Sequence, residues 1–82
     1  VYILHGVEKD TLYTGISNRI AFRVRAHNTG KGARYTRTGG PWKVVFLLPV
    51  ASKSEALKTE WRIKQMPRTE KLRIIQQRAV DG

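Results

Sequence analysis

Two β-rich stretches, VYILHG (residues 1–6) and TLYTGIS (residues 11–17), stand only four residues apart. The join, VEKD, is polar and too short for a crossover, so the two strands must run antiparallel. This hairpin commits the chain to an antiparallel sheet that the remaining residues have to cover. Each strand carries one tyrosine, Tyr2 and Tyr13, and the second also carries Gly15. A glycine inside a strand weakens it and marks a bulge or a close approach by another group. Cross-strand aromatic pairs stabilise a sheet by about 0.2–1 kcal/mol. On β-propensity alone, both tyrosines are ordinary sheet residues.

Downstream of the hairpin, RIAFRVRAHN (residues 19–28) reads as a helix, with Ser17 or Asn18 able to cap it. Ile20, Phe22 and Val24 are its apolar positions. Arg19, Arg23 and His27 recur every four residues and share a face. Residues 29–41, TGKGARYTRTGGP, form a long basic loop rich in glycine. Loops of this length and chemistry are usually functional. WKVVFLLPV (residues 42–50) is a third strand; it lacks clean alternation and is expected at the centre of the sheet, covered on both faces. SKSE is a capping box, Ser52 with Glu55, opening a helix to about Gln65. Pro67 stops that helix. A last helix is expected from Thr69 to about Ala79, with Leu72, Ile75 and Ala79 on one stripe. Leu57 and Trp61 share a helical face, and both Trp42 and Trp61 are expected in the core. The fold class is α+β: a three-stranded antiparallel sheet with flanking helices, in the order β-β-α-β-α-α. The 82 residues suit one domain spanning residues 1–82.

Charge narrows the function. Sixteen Lys and Arg against six Asp and Glu give a formal charge of +10. No acidic residue lies between Asp10 and Glu55, an interval that holds eight cations. A single-sign field of this kind attracts polyanions, nucleic acid above all. The chain has no cysteine. That excludes disulfide frameworks, thiolate zinc sites and cysteine nucleophiles, and it fits a reducing intracellular compartment. No apolar run approaches a membrane span, and no leader pattern is visible. Neither a GxSxG elbow, nor HExxH, nor a Walker loop is present. Of the six acids, Glu8 and Asp10 fall in a turn, Glu55 caps a helix, Glu70 opens one, and Asp81 is near the end. Only Glu60 lies mid-helix with no local task, apart from an i,i+4 pairing with Lys64 worth about 0.3–0.5 kcal/mol.

Taken together, VYI with Tyr2, YTG with Tyr13 and Gly15, the helical pair Arg23 and His27, and Glu60 resemble the GIY-YIG nucleases. The spacing of about ten residues between the two tyrosine elements matches that family's motif, and the likeness covers almost the whole chain. It is closest to small stand-alone bacterial members with a GKGARYTR loop. PW at 41–42 and EW at 60–61 are similar to the catalytic domain of structure-selective resolvases. Val1 stands where the name-giving glycine would be, and Thr14 replaces isoleucine. The stretch RTEKLR lacks an asparagine that many members carry beyond the glutamate.

The resemblance implies a metal-dependent DNA endonuclease of bacterial cytoplasm with one active site, in a repair or recombination setting. Mg²⁺, with Mn²⁺ as a substitute, would be held by Glu60. Arg23 would face the scissile phosphate. Tyr13 would take a proton from the attacking water and pass it onward, to His27, or His27 would itself be the base. Tyr2 would orient the water or the phosphate. A free tyrosine has a pKa near 10, so Arg23 and the metal are expected to lower that of Tyr13. Lys31, Arg34 and Arg37 would contact phosphates without reading sequence, and Tyr35 would complete the edge of the site. The small surface favours single-stranded or branched DNA, unless a partner protein supplies selectivity. The competing reading is a non-catalytic basic nucleic-acid-binding module.

Overall fold

The computed structural model describes residues 1–78. Its strands are β1 (Tyr2–Gly6), β2 (Thr11–Gly15) and β3 (Trp42–Leu47), and its helices α1 (Ile20–Asn28), α2 (Lys53–Lys64) and α3 (Arg68–Gln77). A short 3₁₀ turn, Arg34–Arg37, lies within the basic loop. The order β-β-α-β-α-α is the one expected, and the sheet is antiparallel throughout.

The strand order is β2-β1-β3, so β1 is central and β3 is an edge. This corrects the expectation for β3. Its broken alternation comes from a register shift opposite Ile3 and Leu4, not from coverage on both faces. Val44 and Leu47 remain exposed. The strand buried on both faces is β1. Ile3 packs with Val1, Phe46, Ala56 and Ile63 on one side, while Tyr2 and Leu4 pack with Trp42 on the other. Each fully buried side chain of this size contributes about 1.5–3 kcal/mol. The two clusters therefore hold α2 and α3 to one face of the sheet and α1 to the other. Asn28 fixes the end of α1: its side-chain amide donates to the Trp42 carbonyl at 3.1 Å, and its Oδ1 accepts from the Trp42 N–H at 2.7 Å.

Helix boundaries follow local chemistry, with some corrections. Ser52 caps α2 as expected, its Oγ accepting from the Glu55 N–H at 3.2 Å. In α1 neither Ser17 nor Asn18 is the cap; that position is Arg19, whose N–H donates to Ser17 Oγ at 2.9 Å. Pro67 ends α2 by standing as the cap of α3. Ile74 and Ile75, rather than Leu72, pack α3 on the core, and Ala79 lies outside the described residues. Trp42 is 2% exposed, as the core assignment required, but Trp61 is 66% exposed and Leu57 47%. The buried face of α2 is Ala56 and Ile63, and Leu57 and Trp61 sit round the helix from it. Phe22 likewise projects to solvent, with the Arg19 guanidinium 5.4 Å from its ring centre.

Candidate active site

The hairpin register explains Gly15. In the β1–β2 ladder Tyr2 lies opposite Gly15, and Leu4 opposite Tyr13. Directly opposed residues share a face, so the Tyr2 ring lies over Gly15 and diagonally beside Tyr13, with ring centres 6.5 Å apart. A Cβ on Gly15 would stand 2.5 Å from the Tyr2 hydroxyl oxygen. The glycine keeps that hydroxyl in place.

Helix α1 closes over the same face. Its inward side carries Ile20 and Val24 into the Tyr2–Trp42 cluster and buries His27 to 1% exposure. The His27 Nε2 is 3.0 Å from the Tyr2 hydroxyl, and its Nδ1 is 2.7 Å from Thr36 Oγ1. The Thr36 hydroxyl itself donates to the Ala33 carbonyl at 2.8 Å. Its single proton being used, Thr36 accepts from His27 Nδ1–H. A neutral imidazole then presents Nε2 as an acceptor, so the Tyr2 hydroxyl donates to it. Nothing in the sequence singles out Thr36 beyond its place in the basic loop. It is 2% exposed, and its carbonyl also accepts from the Trp42 indole N–H at 2.9 Å. Gly32 lets the loop lie against the imidazole, since a Cβ there would collide with His27 Nδ1.

Burial holds the His27 pKa below its ordinary value of 6.5, with the Arg23 guanidinium acting in the same direction. Burial also raises both tyrosines above 10. For Tyr2, Arg23 opposes that rise while Tyr13 and Glu60 add to it; for Tyr13, Arg23 opposes it and Glu60 adds to it. The expectation that Arg23 brings Tyr13 below its free value is therefore not met by the protein groups alone, because desolvation outweighs one partly exposed cation. The same influences place Arg23 and Glu60 in the electrostatic neighbourhood of both hydroxyls. The expected link from Tyr13 to His27 is also replaced: their rings are 5.1 Å apart, but the hydroxyl bonded to Nε2 is that of Tyr2.

The linkage sign follows from the depressed His27 pKa. Below about pH 6.5 the unfolded chain binds a proton at this position that the folded chain refuses. The stability held above pH 6.5 is accordingly lost as the pH falls toward the folded-state value. Urea melts at pH 7.5 and 5.0 should show lower stability at the acid end. A His27→Gln variant should show a shallower fall, and equal pH dependence in the two proteins would contradict this origin. Asp10, held low by its hydrogen bond with His5 and then by Arg68, matters only below its ordinary 3.8, and the Val1 amine, which burial holds below its ordinary 8.0, adds a fall that both proteins share.

The basic loop supplies the rim. Tyr35 stacks on Tyr13, ring centres 6.0 Å apart and planes 23° from parallel. Lys31, Arg34 and Arg37 are exposed beside it, and the 3₁₀ turn carries Arg34, Tyr35, buried Thr36 and Arg37 in succession. Arg23 borders an open groove of about 880 Å³, lined also by Ile20, Leu47, Pro49 and Lys53.

Glu60 is partly buried and pairs with Lys64 at 3.4 Å. Among the described residues no three His, Asp or Glu side chains converge as a cage. A lone carboxylate is nevertheless compatible with Mg²⁺, which keeps several waters and takes few protein ligands. A divalent ion held here would take Glu60 as its protein ligand.

Paired tyrosines on the sheet, a histidine and an arginine on α1 and one carboxylate on α2 are the groups of a small nuclease-type catalytic domain. The chain belongs to the GIY-YIG family: the model described as the GIY-YIG catalytic domain matches residues 1–73. Members of this family are endonucleases acting on DNA, as a rule with a metal ion. Among its relatives is a UPF0213 protein of Oceanobacillus iheyensis, 49% identical over 76 residues, covering 93% of this chain and 87% of the relative. Another, from Syntrophus aciditrophicus, is 50% identical over 78 residues, covering 94% and 88%. The solution NMR structure of the UPF0213 protein BH0048 from Bacillus halodurans is similar with a TM-score of 0.62 and 33% identity. That likeness covers 99% of this chain and 85% of the other. Among the described residues no helix is long and apolar enough to cross a membrane.

Proposed function

We propose that this protein is a Mg²⁺-dependent DNA endonuclease that hydrolyses phosphodiester bonds at the Tyr2–Glu60 site. The observation that carries the reading is the hydrogen bond from the Tyr2 hydroxyl to the neutral, buried Nε2 of His27. With both tyrosine pKa values raised, a standing phenolate is scarce at neutral pH. Concerted transfer avoids it: as water attacks the phosphorus, its proton passes to the Tyr2 oxygen and the Tyr2 proton passes to His27 Nε2. Thr36 holds the ring in the tautomer that can accept. Tyr13, whose hydroxyl has no hydrogen-bond partner among the described side chains, orients the water. Arg23 balances charge that grows on the phosphate. A divalent ion at Glu60 would supply Lewis-acid stabilisation of the scissile phosphate and the leaving 3′ oxygen.

Lys31, Arg34 and Arg37 contact phosphates around this centre in a way that is indifferent to sequence. Single-stranded or branched DNA is the substrate of this reading, with a role in repair or recombination in the bacterial cytoplasm. The test is digestion of end-labelled single-stranded, duplex and branched DNA with and without Mg²⁺. Cleavage that needs the ion and prefers unpaired or branched substrates is expected. Tight binding with no cleavage of any of the three would replace this reading with that of a basic binding module.

A further inference from the structure

Helix α2 carries the catalytic-site carboxylate on one flank and a tryptophan on the next. At 3.6 residues per turn, Trp61 lies about 100° round from Glu60, with Leu57 and Lys64 between them and Lys58 about 60° beyond. The acid on the other flank, Glu55, is about 120° from Trp61 by the same geometry. Trp61 is 66% exposed and Leu57 47%, while the side of α2 that holds the core is Ala56 and Ile63. The tryptophan therefore contributes little to the core, and it stands among cations beside the reactive centre.

What covers such a face is decided by its charge. A second copy seated symmetrically would bring Lys58 and Lys64 against their own counterparts, on a chain of formal charge +10. A single-stranded polyanion meets both halves of the surface: its phosphates suit the lysines and its bases offer flat faces to the indole. We propose that Trp61, framed by Leu57, Lys58 and Lys64, is a stacking platform for an unpaired base of the strand that enters the Glu60 site. The substrate class this selects is nucleic acid with single-stranded or splayed segments, since a base inside a duplex has no free face for the indole. The placement of the strand rests on the nuclease reading, but the stacking does not.

The two tryptophans make the test direct, because Trp42 is 2% exposed while Trp61 is 66% exposed. In EDTA, where cleavage plays no part, titration with a short oligo(dT) should quench the fluorescence of the wild-type chain. Trp61→Leu should abolish the quench and weaken oligo(dT) affinity about tenfold, as expected for the loss of one stacked base. Affinity for a blunt duplex should change less than twofold. Circular dichroism should show the same fold in both proteins. Absence of quenching, or equal weakening toward duplex and single strand, would overturn the proposal. So would sedimentation showing a dimer of the wild-type chain that Trp61→Leu dissolves, which would assign the face to a second copy. A chain that shows the quench but never cuts DNA would keep the platform and lose the nuclease.

Discussion

A Glu60→Ala protein is expected to bind DNA as the wild type does and to cut it at least about a hundredfold more slowly, the scale of losing one charge-stabilising group at a reacting centre. Glu60 is the one acidic side chain in the electrostatic neighbourhood of Tyr2 and Tyr13 among the described residues, so no second carboxylate stands ready to replace it. Its structural task is slight: the pair with Lys64 spans one helical turn, a geometry worth about 0.3–0.5 kcal/mol. Folding should therefore survive the substitution. Initial rates on a labelled branched substrate, with affinity from fluorescence anisotropy, separate the two effects. EDTA should reproduce the loss in the wild-type chain. Wild-type cleavage by the alanine variant with Mg²⁺ would remove Glu60 from the mechanism.

Tyr2→Phe should have an effect of similar size for a different reason. In the proposed relay the Tyr2 hydroxyl, bonded to His27 Nε2, carries the proton from the attacking water to His27, and general acid–base catalysis contributes about 10²–10⁴-fold. The substitution also leaves His27 Nε2 buried without its donor, a cost of about 1–3 kcal/mol, so the melt must be measured beside the rate. Tyr13→Phe removes a hydroxyl with no side-chain partner and should cost little stability. It should slow turnover as well, by loosening the water. The two variants part company in the pH profile. The rise of kcat/KM through the depressed His27 pKa should persist in Tyr13→Phe and vanish in Tyr2→Phe. An active Tyr2→Phe beside an inactive Tyr13→Phe would move the base to Tyr13.

The candidate groups are legible in the sequence. The spacing of Tyr2 and Tyr13 across a four-residue turn, Arg23 and His27 one helical turn apart, and the unemployed Glu60 named the groups the fold brings together. The roles within the set were less legible. Tyr13 was expected to hand its proton to His27, yet the register seats Tyr2 over Gly15 and gives that contact to Tyr2. Thr36 is invisible in the sequence because its function lies in one hydroxyl bond to a residue nine positions away, inside a loop that reads only as basic and rich in glycine. Trp61 was misplaced for the opposite reason. Hydrophobicity and an i,i+4 neighbour predict burial, but the face of a helix that is covered depends on where the sheet lies.

The sequence by itself determined the features that depend on neighbours along the chain. The short polar turn made the hairpin antiparallel, Ser52 began α2, Pro67 ended it, and the interval without acids set the sign of the partner. Only the tertiary structure decided which strand is central, which tyrosine meets the histidine and which tautomer that histidine holds. Those outcomes turn on strand register, a bulge opposite Ile3 and Leu4, and hydrogen bonds buried between segments distant in sequence. A one-residue change of register sends a side chain to the other face of the sheet. Local propensity carries no information about that choice, and packing on both faces of β1 makes it.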